Sequence, residues 1–428
     1  MISKRLTQLT DTAAVQENWA PHMRTNGDTK TFDGIICLGG EDWWYHNRGH
    51  FDFQIMRRLA RKWPVLFVNS IGVRMPDLAD KKVFAQRMGR KLKSLSRGAV
   101  NVENKFWVFS PVVLPGETGA RLTNWALNPQ IRAAAARAGI RNPVLWLHCP
   151  AGAAMMSEMN PAAIVLQRTD RFEAFPEGDP VLLGRQIEAM KAKADLTIYS
   201  APHLADEERE QVKRQLIVTH GVDFDVFARA GQAGGNDVDG LKGVRRPRAG
   251  FVGGIDAHTF DPQLFLDTAS RLPGVEFVMI GGSSLPDGWC TLPNVRFLGR
   301  KPYDEIAHYM AAMDVLIMPW NSSDWIKACN PIKLKEYLAV GRPVVTTDFA
   351  ALDGYRDLVR TAHGPEEFAR QIQSSLDEPY DIQAGRQRVA PESWDAKTDL
   401  VANSILELGL QFQVSNGGLW SARARRAA

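Results

Sequence analysis

Short apolar runs ending in glycine or a polar residue, alternating with segments of helical periodicity, occur in two successive series along this chain. That pattern restricts the fold more than any other feature. In the first series Phe32–Leu38, Val65–Asn69, Phe106–Ser110, Val144–His148, Ala163–Gln167 and Leu196–Ser200 read as buried strands. Phe51–Lys62, Asn124–Ala138 and Val181–Ala194 read as helices between some of them. Strands with two apolar faces, joined by helical crossovers, are the signature of a parallel, doubly wound α/β sheet. The second series has strands at Ala249–Val252, Glu276–Ile280, Val295–Leu298, Asp314–Met318 and Arg342–Thr347, with helices at Pro262–Leu272 and Tyr303–Met313. Between the series, Ala228 to Arg248 is rich in Gly, Asp, Lys and Arg and poor in large apolar residues, which is linker composition. The expected domains are therefore 31–227 and 249–390, joined by a linker at 228–248. They are flanked by a polar arm at 1–30, a C-terminal helix within 391–414 and a tail at 415–428 that carries Arg423, Arg425 and Arg426. Further helices are expected at Gly364–Asp377 and Trp394–Leu410. A length of 428 residues accommodates two such domains.

Composition excludes several classes. Hydrophobic content of 45% and charged content of 23% are ordinary for a soluble globular protein, and a net charge of +4 is too small to argue for nucleic acid. Cys37, Cys149, Cys290 and Cys329 are far apart and form no Cys-x-x-Cys pair. With no apolar h-region in the first 30 residues, they read as thiols in a reducing cytoplasm. No run approaches the ~20 apolar residues of a membrane span. One segment is lopsided. Lys81 to Arg97 holds Lys81, Lys82, Arg87, Arg90, Lys91, Lys93 and Arg97 with no acid, and Phe84, Met88, Leu92 and Leu95 fall on one helical side. A basic amphipathic helix lies on an anionic membrane surface; the alternative is a helix packed on the domain by its apolar side. The first reading makes the protein cytoplasmic and peripheral on the inner face of the plasma membrane.

The densest local signal is Asn330-Pro-Ile-Lys-Leu-Lys-Glu-Tyr-Leu-Ala-Val-Gly-Arg-Pro-Val-Val-Thr-Thr347. Asn330 suits an N-cap and Pro331 the first helical position, while Ile332, Leu334, Tyr337 and Leu338 supply an apolar side and Gly341 the stop. The helix start favours an anion such as phosphate, and Lys333 adds a full charge. Glu336 follows one turn deeper, where a carboxylate can accept two hydrogen bonds from a vicinal diol such as a ribose. The competing reading is a capped surface helix with solvated charges. Glycine pairs after the second series' strands, Gly253-Gly254 and Gly281-Gly282, and Gly299-Arg300 let a phosphate or sugar approach the backbone.

In the first series the strand ends carry polar residues. Glu41 to His50 includes Asp42, Trp43, Trp44, His46 and Arg48, a set suited to sugar rings and hydroxyls at a substrate rim; packing of the tryptophans at a helix start is the alternative. His46 and His50 have i,i+4 spacing but no Glu between them in the zinc pattern, so no metal site is expected. His148 ends one strand, and Asp170 follows another. An acceptor hydroxyl needs one general base, and Asp170 is the first candidate, with His148 and Asp42 as alternatives; a turn or helix cap is the other role for Asp170.

The 330–347 string resembles the donor-site helix of GT-B glycosyltransferases of the family-4 type. There a Glu holds the nucleotide ribose five residues before a Gly-x-Pro-Val-Val, as Glu336 stands before Gly341. Ala328 occupies the place of that family's earlier Glu, which moves the comparison toward the branch with xanthan glucuronosyltransferase and teichuronic acid transferases. Thr219–Phe227 resembles the "GVD…F" element that ends the family's first domain. Phe251–Asp256, Asn294–Lys301 and Asp314–Pro319 are similar to its donor-domain segments. Many members carry an Arg and a Lys after the first donor-domain strand; Ile255–Asp261 has neither, so Arg300 and Lys333 are the candidate diphosphate neutralisers. The resemblance implies two Rossmann-like domains facing each other across a cleft, over about residues 33–410, with the last helix returning to the first domain. It also implies transfer of a sugar from a nucleoside diphosphate sugar to a lipid-linked or cell-surface glycan, with no further cofactor. Asp-x-Asp strings occur only at Asp223–Asp225 and Asp237–Asp239, outside the second domain, which fits a metal-independent reaction. The competing readings are an epimerase of the same fold and a nucleotide-sugar-binding protein without catalysis.

Overall fold

The structure, a computed structural model, describes residues 30–45, 49–71, 89, 93–112, 116–169, 171, 173, 179–235, 238–323, 326, 332–349 and 352–414. Its strands are β1 Lys30–Phe32, β2 Gly34–Leu38, β3 Val65–Val68, β4 Ala99–Glu103, β5 Phe106–Phe109, β6 Pro143–Leu147, β7 Ala163–Arg168, β8 Leu196–Tyr199 and β9 Gln215–Ile217 in the first half. The second half has β10 Arg248–Val252, β11 Glu276–Ile280, β12 Val295–Gly299, β13 Val315–Met318, β14 Val344–Thr346 and β15 Arg360–Thr361, before β16 Leu410–Phe412.

Two sheets result. The first runs β4-β5-β3-β2-β6-β7-β8-β9 and is parallel except where β4 lies against β5. The second runs β12-β11-β10-β13-β14-β15 and is parallel throughout. Each sheet starts in its middle and grows first to one side and then to the other. The crevice where the order reverses, at the carboxyl ends of the strands, lies between β2 and β6 in one sheet and between β10 and β13 in the other. Both sheets are covered on both faces, which is why strands such as Val65–Val68 and Glu276–Ile280 are buried along their length. Trp43, Phe53, Phe67, Trp146 and Trp394 anchor one core layer of the first half, and Met310, Leu316, Tyr337 and Leu338 one layer of the second.

The expected linker is not loose. Phe224–Ala233 is a helix packed on the Ile332–Val340 and Tyr303–Ala311 helices, and Leu241 and Val244 are buried in the second half's core. The side chain of Arg248 donates to the carbonyls of Arg245, Leu241 and Val244, which ties the polar segment down. The boundary therefore falls before Phe224 rather than at 228, because Val222, Phe227 and Ala230 are apolar contacts of the second core. The helix expected from Asn124 begins at Gly116 and contains Pro129.

The Trp394–Leu406 helix packs on the Phe51–Leu59 helix, with Arg58 and Arg61 paired to Asp395, and β16 pairs with β1. The last described residues thus lie on the half that holds the first ones. The basic segment Lys81–Arg97 lies largely outside the described residues. Among the described residues no helix is long and apolar enough to cross a membrane.

Candidate active site

The Ile332–Val340 helix is held to the middle of the second sheet by Tyr337, whose hydroxyl accepts from the Val252 N–H at 2.9 Å. That contact brings the first turn of the helix to the end of β10. Lys333 extends along Gly253. A Cβ on Gly253 would stand 2.2 Å from Lys333 Cε and 2.5 Å from Nζ, so only glycine leaves room for the ammonium. The same ammonium lies 6.0 Å from the ring of Phe251 and 5.9 Å from that of Trp320, which follows β13. It therefore sits in the crevice between β10 and β13. The loops after β10 and β11 are laced together: Ile255 N–H donates to Gly282 O at 2.9 Å, and a Cβ on Gly281 would meet Gly253 O at 1.7 Å. The Arg300 guanidinium closes the other side, with its Nε 2.5 Å from where a Gly282 Cβ would be.

Glu336 lies one turn behind Lys333 and is 6% exposed. No hydrogen-bond partner for its carboxyl is found among the described residues. Burial pushes that carboxyl up to about 7; Lys333 opposes the rise and the Asp223 carboxylate adds to it. Gly253, Gly254, Arg300, Lys333 and Glu336 are thus brought together around one crevice: a positive rim, exposed backbone, and a buried acid with acceptor capacity to spare. The helix is not the solvated surface helix of the alternative reading, since Lys335 and Glu336 are both buried.

In the first sheet the equivalent crevice holds His148. Its ring lies against Gly40, where a Cβ would come within 2.9 Å of Nδ1 and Cε1. Nδ1 is 3.3 Å from Asp52 Oδ2, and Nε2 is 3.0 Å from Thr169 Oγ1. Asp52 is buried in the first turn of the Phe51–Leu59 helix and also accepts from the Phe53 N–H at 2.9 Å. Burial alone would raise its carboxyl. The hydrogen bond and charge of His148, the charge of His50 and the Phe53 N–H outweigh burial and hold it below the usual carboxylate range. Among the described residues no group of three or more His, Cys, Asp or Glu side chains is placed to hold a metal ion.

Residues 246–378, which span the second sheet and the Lys333–Glu336 helix, match the family described as glycosyl transferases group 1. The sucrose-phosphate synthase structure from Thermosynechococcus elongatus superposes with a TM-score of 0.57 at 16% identity, covering 88% of this chain and 98% of that one. HepE of Anabaena, in complex with UDP and glucose, superposes with a TM-score of 0.57 at 13% identity over 87% and 98% of the two chains. The fold is GT-B. Within this GT-B chain the similarity to group 1 glycosyl transferases is confined to residues 246–378. Among curated relatives, TuaH of Bacillus subtilis, named for a glycosyltransferase role in teichuronic acid biosynthesis, is 33% identical over 136 residues, 31% of this chain and 34% of that protein. A D-inositol 3-phosphate glycosyltransferase of Mycobacteroides abscessus is 27% identical over 284 residues, 59% and 62% of the two. The chain therefore spans less than two thirds of the curated relatives it matches.

Several expected site residues of the GT-B chain take other positions. Trp43 is not on a substrate rim: it is 1% exposed, packed edge-on against Phe53 and Phe106, with its backbone N–H donating to Asn69 Oδ1. The strand-to-helix turn carries it inward because Phe51–Leu59 needs an apolar partner over β5. Trp44 is half-buried, with the Arg97 guanidinium 4.2 Å from its ring centre. Asp42 accepts from Trp44 N–H at 2.9 Å and Ser94 Oγ at 3.1 Å, which makes it a loop fastener. Asp170, His46, Arg48, Asn330 and Pro331 lie outside the described residues. Sequence reasoning missed Asp52 and Thr169. Asp52 is 96 positions from His148 and looks like any helix-start acid.

Proposed function

We propose that the protein transfers a sugar from a nucleoside diphosphate sugar to an acceptor hydroxyl on a lipid-linked or cell-surface glycan. The observation that carries this reading is the pairing of Lys333 at Gly253 with a buried, hydrogen-bond-poor Glu336 on one helix. Three features at the crevice favour a diphosphate: a cation, exposed glycine backbone and the amino end of a helix. Glu336, ionised, accepts from the two hydroxyls of a ribose one turn away. Departure of the nucleoside diphosphate leaves negative charge, which Lys333 and Arg300 are positioned to stabilise. HepE is described in complexes with UDP and with UDP-glucose, which supports a nucleotide-sugar donor in this half. The acceptor proton goes to His148 or Asp170, which follow the adjacent strands β6 and β7. No cofactor or metal enters this scheme. The unbroken positive run from Lys81 to Arg97 supports attachment to an anionic membrane where such acceptors lie; unchanged binding to anionic vesicles after its neutralisation would remove that part of the proposal.

The test is thermal unfolding with UDP-, GDP-, dTDP- and CMP-sugars, repeated on Glu336→Ala and Lys333→Ala. A ligand at a hundred times its Kd adds about 2.7 kcal/mol. Stabilisation by one nucleotide class, lost in both variants, is expected. Equal stabilisation of wild type and variants would remove this crevice as the donor site.

A further inference from the structure

We propose that Asp52 is the positioning residue that makes His148 the proton acceptor of the transfer reaction, an assignment that rests on the glycosyl-transfer reading. An ionised carboxylate only accepts, so the contact between Asp52 Oδ2 and His148 Nδ1 requires the proton on Nδ1. Neutral imidazole then presents Nε2 as a bare acceptor, and the Thr169 hydroxyl, 3.0 Å away, donates to it. The carboxylate is fixed on its other side by the Phe53 N–H and stands in the first turn of a helix, where negative charge is favoured. The imidazole is flanked by Gly40, whose lack of a side chain leaves it room at the crevice between β2 and β6. Among the described residues, the other titratable groups facing the pair are Cys37 on β2 and His50 before the helix. Asp52 is buried at the floor of the crevice, and the His148 side chain is 12% exposed, so the histidine alone meets solvent or substrate.

The acceptor hydroxyl displaces Thr169 as the donor to Nε2. Its oxygen bonds the anomeric carbon as the bond from that carbon to the diphosphate oxygen breaks, and the bonding pair leaves with the nucleoside diphosphate. The hydroxyl proton moves to Nε2, and the imidazolium so formed is neutralised by Asp52 until it releases the proton to water.

The experiment uses the full-length protein with isotope-labelled histidine. The His148 ring signals are identified by their loss in His148→Gln, and they are followed by NMR titration in wild type, Asp52→Asn and Asp52→Glu. Wild type should show the Nδ1–H tautomer. In Asp52→Asn the tautomer should change, and Asp52→Glu should restore most of the wild-type behaviour. An unchanged tautomer in Asp52→Asn would overturn the assignment. A kinetic arm measures nucleoside diphosphate release with whichever sugar nucleotide the wild type consumes. A fall in kcat of about a hundredfold or more at unchanged donor KM is expected in Asp52→Asn, with no further loss when His148→Gln is added. Full activity of Asp52→Asn would also overturn it. Consumption of no sugar nucleotide by wild type would defeat the glycosyl-transfer reading, and with it the role given to Asp52, even if the NMR arm showed the pairing.

Discussion

Lys335 reaches from the helix that bears Glu336 to the main-chain oxygen of His220, 2.8 Å away in the segment that leaves the first sheet. Its ammonium also pairs with the Glu392 carboxylate, which receives the Tyr355 hydroxyl as well. Successive side chains of one helix thus serve different ends: Lys333 and Glu336 face the crevice, and Lys335 fastens the two halves. Lys335 is 1% exposed, and its removal leaves the half-buried Glu392, among the described residues, with Tyr355 and, at 3.8 Å, Lys397.

Lys335→Met should lower the unfolding free energy by about 2–4 kcal/mol near neutral pH, toward the lower side of the range for broken buried pairs because Glu392 is partly exposed. Burial works against ionisation of Glu392, but Lys335 and the Tyr355 and Lys397 contacts hold its carboxyl below the usual range. A depressed carboxyl contributes stability above its unfolded value of about 4.3 and loses it as pH falls through the folded value. The gap between Lys335→Met and wild type in urea should therefore narrow below about pH 4. A gap that stays constant with pH would assign the loss to packing alone.

Gly253→Ala tests the crevice without touching a charge. The new methyl would meet the far end of the Lys333 side chain, which can swing away, rather than backbone. Stability should change by less than about 1 kcal/mol, within the range of non-core substitutions. Nucleoside diphosphate binding should weaken about tenfold, as expected for loss of one charge-assisted contact. Gly281→Ala is the contrast. With φ at +150° and Gly253 O 1.7 Å from the new carbon, nothing flexible can yield, and the variant should lose its folded second half's stability by several kcal/mol, on the order seen for backbone strain plus overpacking. Similar melting of both variants would refute this division.

Glu336 links the site to pH. Its folded value near 7 stands above the unfolded value of about 4.3, so the folded state binds the extra proton between them. Stability from this group is complete below pH 4 and declines as pH rises to about 7, by about 2–4 kcal/mol at 1.36 kcal/mol per unit. Glu336→Gln removes that decline. The variant should match wild type in urea at pH 4, exceed it at pH 8, and still fail to bind the nucleotide: a gain in stability at the expense of the site. Equal pH dependence of the two proteins would show that Glu336 titrates normally.

What the sequence made legible follows from how local each cause is. The strand-end glycines, the capped helix and the Lys333–Glu336 spacing are all local, and they converge in space as a parallel sheet requires. The linker reading failed because composition reports polarity, whereas Leu241, Val244 and the carbonyl-capping Arg248 make a polar segment pack. Trp43 and Trp44 are adjacent and chemically alike, and only the path of the chain over β5 decides that one is core. Asp52 acquires its meaning from His148, which arrives through β6, so no window around residue 52 contains the signal.

Arg168 extends this point to the support beneath Thr169. It is fully buried at the end of β7, and its guanidinium fork spans two acids: Glu173 at 2.6 and 2.9 Å and Glu208 at 2.8 Å. Tyr199 donates to Glu208 at 3.0 Å and Lys191 lies 3.5 Å from it. Burial alone would raise Glu208, but Arg168 and these neighbours hold it ionised. The network pins both ends of the turn after β7, with Ser200 Oγ donating to Thr169 O at 3.0 Å. Arg168→Met strands two carboxylates and should destabilise by about 3–5 kcal/mol. Arg168→Lys keeps the charge but cannot bridge both acids, since a point charge lacks the planar fork. It should fold with a smaller loss of about 1–2 kcal/mol, while the Thr169 contact to His148 loosens and kcat falls at constant donor KM. Wild-type kcat in Arg168→Lys would detach this network from the chemistry and leave it a purely structural one.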